Sequence, residues 1–358
     1  MGVVGVRSFI IIPRSRRADD SSIIFISIIV FLEGGFMNRL LRAYVTLLVL
    51  LAANLCRADV FGSGTNSFEI EFVTIGQSGN PADTTGDPNP AGAVPYGYRI
   101  GKYEVPEDAV RKANAQSALD GQPLGVTLDT RGPKKPATSL SWFEVAKFVN
   151  WLNTNSGATP AYKFVDVIGP RGGVIGTTFA LWEPGDAGYD PANRFRNRLA
   201  AYVLPSADEW YKAAFYDPAS GTYFDYPTGS NIPPVPVASG TAPGTAVVMQ
   251  GLAAGPADIA HAGGLSPYGT MAQGGNAWEW EETELDLLND NSAAYRGGRG
   301  GGWDSFPSNL SATIRNGGLP GTPPTGAGFR VANVIPEPGT ALLLWTTAPV
   351  LIRVRRRR

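Results

Sequence analysis

The sequence predicts an α/β domain with little regular secondary structure, and three observations lead to that fold class. Glycine (44) and proline (29) are abundant in the 358-residue chain, while charged residues make up only 17%, a balance that favours long ordered loops over a helical bundle or a disordered chain. Only two segments combine a helical period with start and stop signals. The other apolar runs are short and β-like.

The first helix is expected in SLSWFEVAKFVNWLNTNSG. There Ser141 and Glu144 have capping-box spacing, Val145, Phe148, Val149 and Leu152 form one apolar stripe, and Gly157 ends the run. The second is expected in LPSADEWYKAAFYDP, capped by Ser206 and Glu209, with Trp210, Ala213 and Ala214 on one face and Pro218 as the stop. SFEIEFVTIG, YGYRIGKYEV, AYVLP and GFRVA read as strands. Between them run loops such as IPPVPVASGTAPGT, and no repeat of solenoid or propeller period is present.

Composition removes several chemistries. The formal net charge is -1, so nothing global points to nucleic acid as a partner. One cysteine, Cys56, and one histidine, His261, rule out an intrachain disulfide, a Cys/His zinc site and a two-histidine iron triad. A Ser-His-Asp triad would have to use His261, which sits in the loop-like AHAGGLSPYG and is expected to be a surface residue.

Both ends read as addresses. Residues 37–58, MNRLLRAYVTLLVLLAANLCRA, have the order of a secretory signal peptide: Arg39 and Arg42, an apolar run from Ala43 to Ala53, then Ala58 at the cleavage point. Cys56 lies inside it, and Asn54-Leu55 is a poor match to a lipoprotein site. Met37 is therefore the expected start, with residues 1–36 a mis-assigned extension whose apolar patch, Ile23 to Leu32, is short for a membrane span. At the other end Pro336-Glu337-Pro338 precedes an apolar run, Ala341 to Ile352, and the basic block Arg353 to Arg358. Residues 335–358 thus resemble the PEP-CTERM sorting tail. That resemblance implies an exosortase-type processing enzyme as partner, transient membrane anchoring, and delivery to the cell surface or extracellular matrix. A plain tail anchor is the alternative.

The body, residues 59–334, carries a series of motifs. In order they are GKYEV (Gly101–Val105), PATSLSWFEVAKFVNWLN (Pro136–Asn153), LPSADEWYKAA (Leu204–Ala214), FDYPTG (Phe224–Gly229), SPYGTMAQGGNAWEWEET (Ser266–Thr283), RGGRGGGW (Arg296–Trp303) and GFRVA (Gly328–Ala332). Together they resemble the formylglycine-generating enzyme, or sulfatase-modifying factor, family. The resemblance covers the whole body and implies that family's variant of the C-type-lectin-like fold. Most motif residues are expected to hold the fold: Trp278 and Trp280 as indole pins, Arg296 and Arg330 as partners of buried carboxylates.

The chain departs from the family where the chemistry lies. Family enzymes oxidise a target cysteine with copper held by two cysteines soon after the RGGSW motif, and thiolates suit Cu(I) because both are soft. Here Ser305 falls near the first cysteine position and Leu310 near the second. Copper is not expected, and neither is the iron chemistry of related oxidases, which needs several histidines. The family's structural calcium, held through its GNxWEW loop, would fall on Gly275, Ala277 and Glu279, although Ala272 lacks the side-chain oxygen expected there. Asp225 and Asn231 are weaker candidates for a second cation site. Ligand-facing candidates are Trp303, Asp304 and Ser305. The preferred function is a non-catalytic binding or structural module of the envelope or matrix, taking a polysaccharide or an envelope protein. The alternative is a formylglycine-generating-type oxidoreductase, or another enzyme of the family, with altered chemistry, drawing on Asp304, Ser305 or the Glu279-Glu281-Glu282 run. Such a run is expected to be a solvated face or a calcium support.

Overall fold

A computed structural model of the chain describes residues 56–334. The segments expected to be an extension (1–36) and a sorting tail (335–358), and nearly all of the expected signal peptide (37–58), lie outside them. The first strand, β1 (Cys56–Phe61), hairpins onto β2 (Phe68–Ile75), which pairs in turn with β3 (Tyr98–Gly101). Helices α1 (Glu107–Leu119) and α2 (Trp142–Asn155) follow, then the hairpin β4 (Lys163–Ile168) and β5 (Val174–Ala180). Next come β6 (Tyr202–Val203), helix α3 (Ala207–Phe215), and two small pairs, β7 (Tyr216–Asp217) with β8 (Thr222–Tyr223) and β9 (Val235–Val237) with β10 (Thr245–Val247). The last strands are β11 (Trp278–Glu284), β12 (Arg296–Arg299), β13 (Asn316–Gly318), β14 (Ala327–Gly328) and β15 (Ala332–Val334).

Two sheets organise these elements. The larger runs β1-β2-β3-β15-β6, so the last described strand enters its middle and ties the two ends of the body together. Its side chains, including Phe61, Phe72, Tyr98, Ile100 and Val203, form one core with Val145, Phe148, Val149 and Leu152 of α2. The smaller sheet runs β13-β12-β11-β14 and carries the RGG and WEW motifs. Few helices, short curled strands and long loops make this the C-type-lectin-like architecture expected from the motifs.

Both expected helices form, each with a full capping box. Ser141 Oγ accepts the Glu144 N–H at 3.3 Å while Glu144 Oε2 accepts the Ser141 N–H at 2.9 Å. Ser206 and Glu209 repeat the exchange at 3.2 and 2.7 Å, satisfying donors that a helix start otherwise leaves open. The second helix ends at Phe215, three residues before Pro218, because Tyr216 turns extended to begin β7. Helix α1 has no comparable sequence signal: Pro106 offers no capping side chain, and the buried face is built from Ala109, Val110, Ala113, Gln116 and Ser117. GFRVA does not form one strand. Its two ends join different sheets through β14 and β15, and at the crossing a Cβ on Gly328 would meet the Ala137 carbonyl at 2.9 Å, so glycine is required for the close approach. Strand β1 begins at Cys56, three residues ahead of the body expected from the sequence.

Candidate functional site

The segment Gly300–Leu310 leaves β12 through two glycines at positive φ, Gly300 (+90°) and Gly301 (+74°), a conformation that side chains with a Cβ adopt at a cost. Gly301 is also the point where Ser305 and Leu310, expected to stand near the family's cysteine positions, converge. A Cβ there would lie 2.9 Å from a Leu310 methyl and 3.4 Å from Ser305 Cβ. The fold therefore brings positions 305 and 310 together, but not as metal ligands. Ser305 Oγ accepts the Gly302 N–H at 2.9 Å within its own turn. Leu310 is 1% exposed and packs with Ala246, Val248 and Tyr226. A hydroxyl engaged in a turn and a buried isobutyl group do not fit copper.

Of the three ligand-facing candidates, Trp303 needs correction. It is 1% exposed, donates its indole N–H to the Leu252 carbonyl at 3.2 Å, and lies 4.6 Å beneath the Arg131 guanidinium. Two further backbone hydrogen bonds, its N–H to the Asn276 carbonyl at 3.0 Å and its carbonyl from the Gln250 N–H at 2.8 Å, lock it as a floor residue. Asp304 is exposed and Ser305 half-buried. Trp303 looked accessible because it borders the family's reactive segment, whereas its bulk and indole donor are consumed by packing.

The acidic run on β11 is likewise not a solvated face. Glu279, Glu281 and Glu282 are all fully buried, each against arginine. Glu279 accepts from Arg330 Nε at 2.6 Å, from Arg330 Nη2, and from the Trp210 indole at 2.6 Å. Glu281 pairs with Arg299 at 2.7 Å and Arg315 at 2.8 Å. Glu282 accepts from Arg196 and Tyr162, both at 2.8 Å, and Arg196 also bridges to Glu209 at 2.8 Å. Burial pushes the Glu209 carboxyl up, but the Arg196 charge and its hydrogen bonds outweigh this and hold it below the usual range. Arg330 thus meets a buried carboxylate as expected. Arg296 only partly does: it lies 4.0 Å from Glu284, donates to the carbonyls of Asn291, Ser292 and Ala294, and sits 4.1 Å over the Phe195 ring.

The same geometry decides the fit of calcium. Gly275, Ala277 and Glu279 do lie together on the approach to β11, but the carboxylate of Glu279 is already closed by a guanidinium and an indole N–H. Calcium takes six to eight oxygens, and here the cation facing Glu279 is Arg330. Gly275 (φ +87°) owes its identity to the Val247 carbonyl, 2.5 Å from where its Cβ would stand. Asn276 donates to the buried carboxyl of Glu104 at 2.6 Å. Burial first, and then the charge of Glu279, push that carboxyl well above its ordinary value. These residues do not fit a calcium ion. Asn231 instead accepts the Asp225 N–H at 3.0 Å, and among the described residues no cluster of three acidic, histidine or cysteine side chains is placed to hold a metal.

Two hollows flank the Gly300–Leu310 segment. One, of about 290 Å³, is lined by Lys135, Ser239, Gln250, Gly255, Asp258 and His261. Gln250 ties it to Trp303, and Lys135 pairs with Asp258 at 3.2 Å. His261 is exposed, as expected, and its carbonyl rather than its ring meets Ser239 Oγ, at 3.2 Å. The other, of about 230 Å³, lies on the smaller sheet and is lined by Trp278, Trp280, Gly298, Asn316, Gly318 and Thr325, among others. It adjoins the segment through Gly302, whose Cβ would lie 3.3 Å from Trp278 Cδ1. Of the lining residues, the sequence had singled out the tryptophans, Glu279 and His261, with Gly298 inside the RGGRGGGW motif. The glycines at 298 and 318 were the available signal, since glycine inside a strand marks close approach or open space.

A loop-rich lectin-like domain with an Arg–Glu interior and a converged 305/310 pair is the architecture of a sulfatase-modifying-factor-type protein. Residues 71–335 match the sulfatase-modifying factor enzyme 1-like domain, FGE-sulfatase, and the chain belongs to this family. Over 131 residues it is 30% identical to hercynine oxygenase of Mycolicibacterium smegmatis, a match covering 32% of this chain and only 28% of that protein's length. Among solved structures it resembles Treponema denticola variable protein 1, with a TM-score of 0.52 and 16% identity over 78% of this chain and 99% of that one. It also resembles CarF, with a TM-score of 0.48 and 17% identity over 75% and 99%.

Proposed function

We propose that this protein is a non-catalytic member of its family, exported and sorted to the cell surface or matrix, where the domain serves as a binding or structural module. The observation that carries the reading is the environment of Gly301. The two positions where the family places its thiolates converge there, and they hold a hydroxyl spent in a turn and a leucine spent in the core. The acidic run that might have supplied other chemistry is neutralised by buried arginines, and a carboxylate locked in such a pair makes a poor general base.

The address rests on the signal-like order at 37–58 and on the Pro-Glu-Pro, apolar and arginine order at 335–358. With these, the module travels through the membrane, is released by an exosortase-type enzyme, and stays on the outside. Expression of the full chain with an epitope inserted in the exposed β4–β5 turn, followed by fractionation and mass analysis of the mature ends, tests this. A surface-accessible product lacking the arginine block is expected. A cytosolic product with residues 353–358 intact would overturn the reading.

A further inference from the structure

We infer that the trough on the smaller sheet is a subsite for one neutral hexose unit of a polysaccharide. The feature arises from a missing side chain. Trp280, Gly298 and Asn316 stand in register across β11, β12 and β13, so their side chains share one face. Glycine in the middle adds no side chain between Trp280 and Asn316, and the Trp280 indole reaches past it toward Gly318 on β13. A Cβ on Gly298 would meet nothing closer than 3.6 Å, so this glycine is not demanded by packing. Gly318 is a different case, because a Cβ there would stand 2.7 Å from Trp280 Cη2. Trp278 and Thr325 close the trough, and Pro324 forms part of its wall.

The chemistry of the lining selects the ligand. Half-buried Trp278 offers an aromatic surface with its indole N–H, while Asn316 and Thr325 are exposed and offer an amide and a hydroxyl. None of these side-chain polar groups has a hydrogen bond among the described residues. An aromatic surface beside free donors and acceptors matches a pyranose, which presents C–H bonds on one face and hydroxyls at its rim. The one ionisable residue in the lining, Glu279, turns its carboxylate to the opposite face and gives it to Arg330, so nothing here recruits a charged ligand. A peptide strand is poorly served, because Gly298 is held in ladders on both sides and the trough lies on the face of the sheet rather than its edge. At about 230 Å³ the hollow falls below the ~300–1,000 Å³ usual for whole small ligands, which suits one unit of a longer chain.

The inference rests on the binding reading of the domain and is tested on the mature protein by affinity electrophoresis. Gels would contain dextran, laminarin or galactomannan as neutral polymers, polygalacturonate as an anionic one, or unfolded casein as a peptide. Retardation by at least one neutral polymer is expected. Gly298→Val, which fills the trough with a strand-compatible side chain, should weaken it at least tenfold, and exposed Asn316→Ala about fivefold, with unfolding midpoints unchanged. Lys135→Ala, in the other hollow, should bind as wild type. Equal retardation of wild type and Gly298→Val, or of wild type and Asn316→Ala should Gly298→Val fail to fold, would overturn the assignment, as would retardation by polygalacturonate alone or by no polymer. Retardation by casein alone, lost in Gly298→Val, would overturn the glycan class while leaving the binding reading intact.

Discussion

The interior face of β11 and the segment Gly300–Leu310 lie side by side, both belong to motifs that mark the family, and they have fared differently. Along β11 each glutamate of the WEWEE run faces an arginine: Glu279 with Arg330, Glu281 with Arg299 and Arg315, Glu282 with Arg196. In the segment Gly300 and Gly301 turn the backbone at positive φ, residue 305 is a serine hydrogen-bonded in its turn and residue 310 is a buried leucine. The difference separates what the fold requires from what the reaction requires. Removing one member of a buried ion pair strands a charge in the core and costs several kcal/mol, so the lattice is intolerant of change. A thiol pair that only holds a metal can be lost without harm to the fold.

Mutation should expose this contrast. The largest effect is expected for Arg330→Ala, which leaves Glu279 without its cation and frees carbonyls of Gly101 and Met271. A loss of about 3–5 kcal/mol in denaturant unfolding is predicted, and a loss below that of a surface substitution would show that the lattice is not what holds the sheet. Leu310→Ala comes next at about 2–5 kcal/mol, the cost of a cavity in a packed site. A near-neutral result would mean that position 310 lies open as a ligand position does.

Glu104 sharpens the picture through pH. Its folded carboxyl lies well above the ordinary 4.5, from burial and then from Glu279, so the folded state holds a proton that the unfolded state releases. The sign follows: its contribution is fully present below pH 4.5 and is lost as pH rises toward the folded value. Glu104→Gln, which mimics the protonated form, should match wild type in acid and exceed it by on the order of 1 kcal/mol at pH 8. Unfolding curves at the two pH values that run parallel for both proteins would contradict this. The smallest effect is expected for Ser305→Ala, which removes one acceptor from the Gly302 N–H and should cost about 1 kcal/mol.

Much of the fold was legible in the sequence because it rests on local rules. Ser141–Glu144 and Ser206–Glu209 announce their helices through capping chemistry, and the ordered motifs fix the architecture. Helix α1 was silent because its buried face carries one large apolar residue, Val110, among alanines, a glutamine and a serine, and proline begins it. The site was legible in position but not in state. The family motif singled out Ser305 and Leu310, and both approach Gly301 in the fold, yet the motif could not show that Trp303 is a floor or that the glutamates face arginines from distant segments. Glu279 meets Arg330 across 51 residues and Glu282 meets Arg196 across 86, and such pairings are set by tertiary packing alone. The trough over Trp280 was hidden for the same reason, since it exists only where three strands register.

Incubation of the purified mature protein with copper, oxygen and a sulfatase-motif cysteine peptide, followed by peptide mass analysis, asks whether this domain oxidises cysteine. An unchanged peptide mass is expected under conditions in which an authentic formylglycine-generating enzyme converts it. Appearance of the formylglycine product would overturn the proposal, because the domain would then oxidise cysteine without thiols at residues 305 and 310.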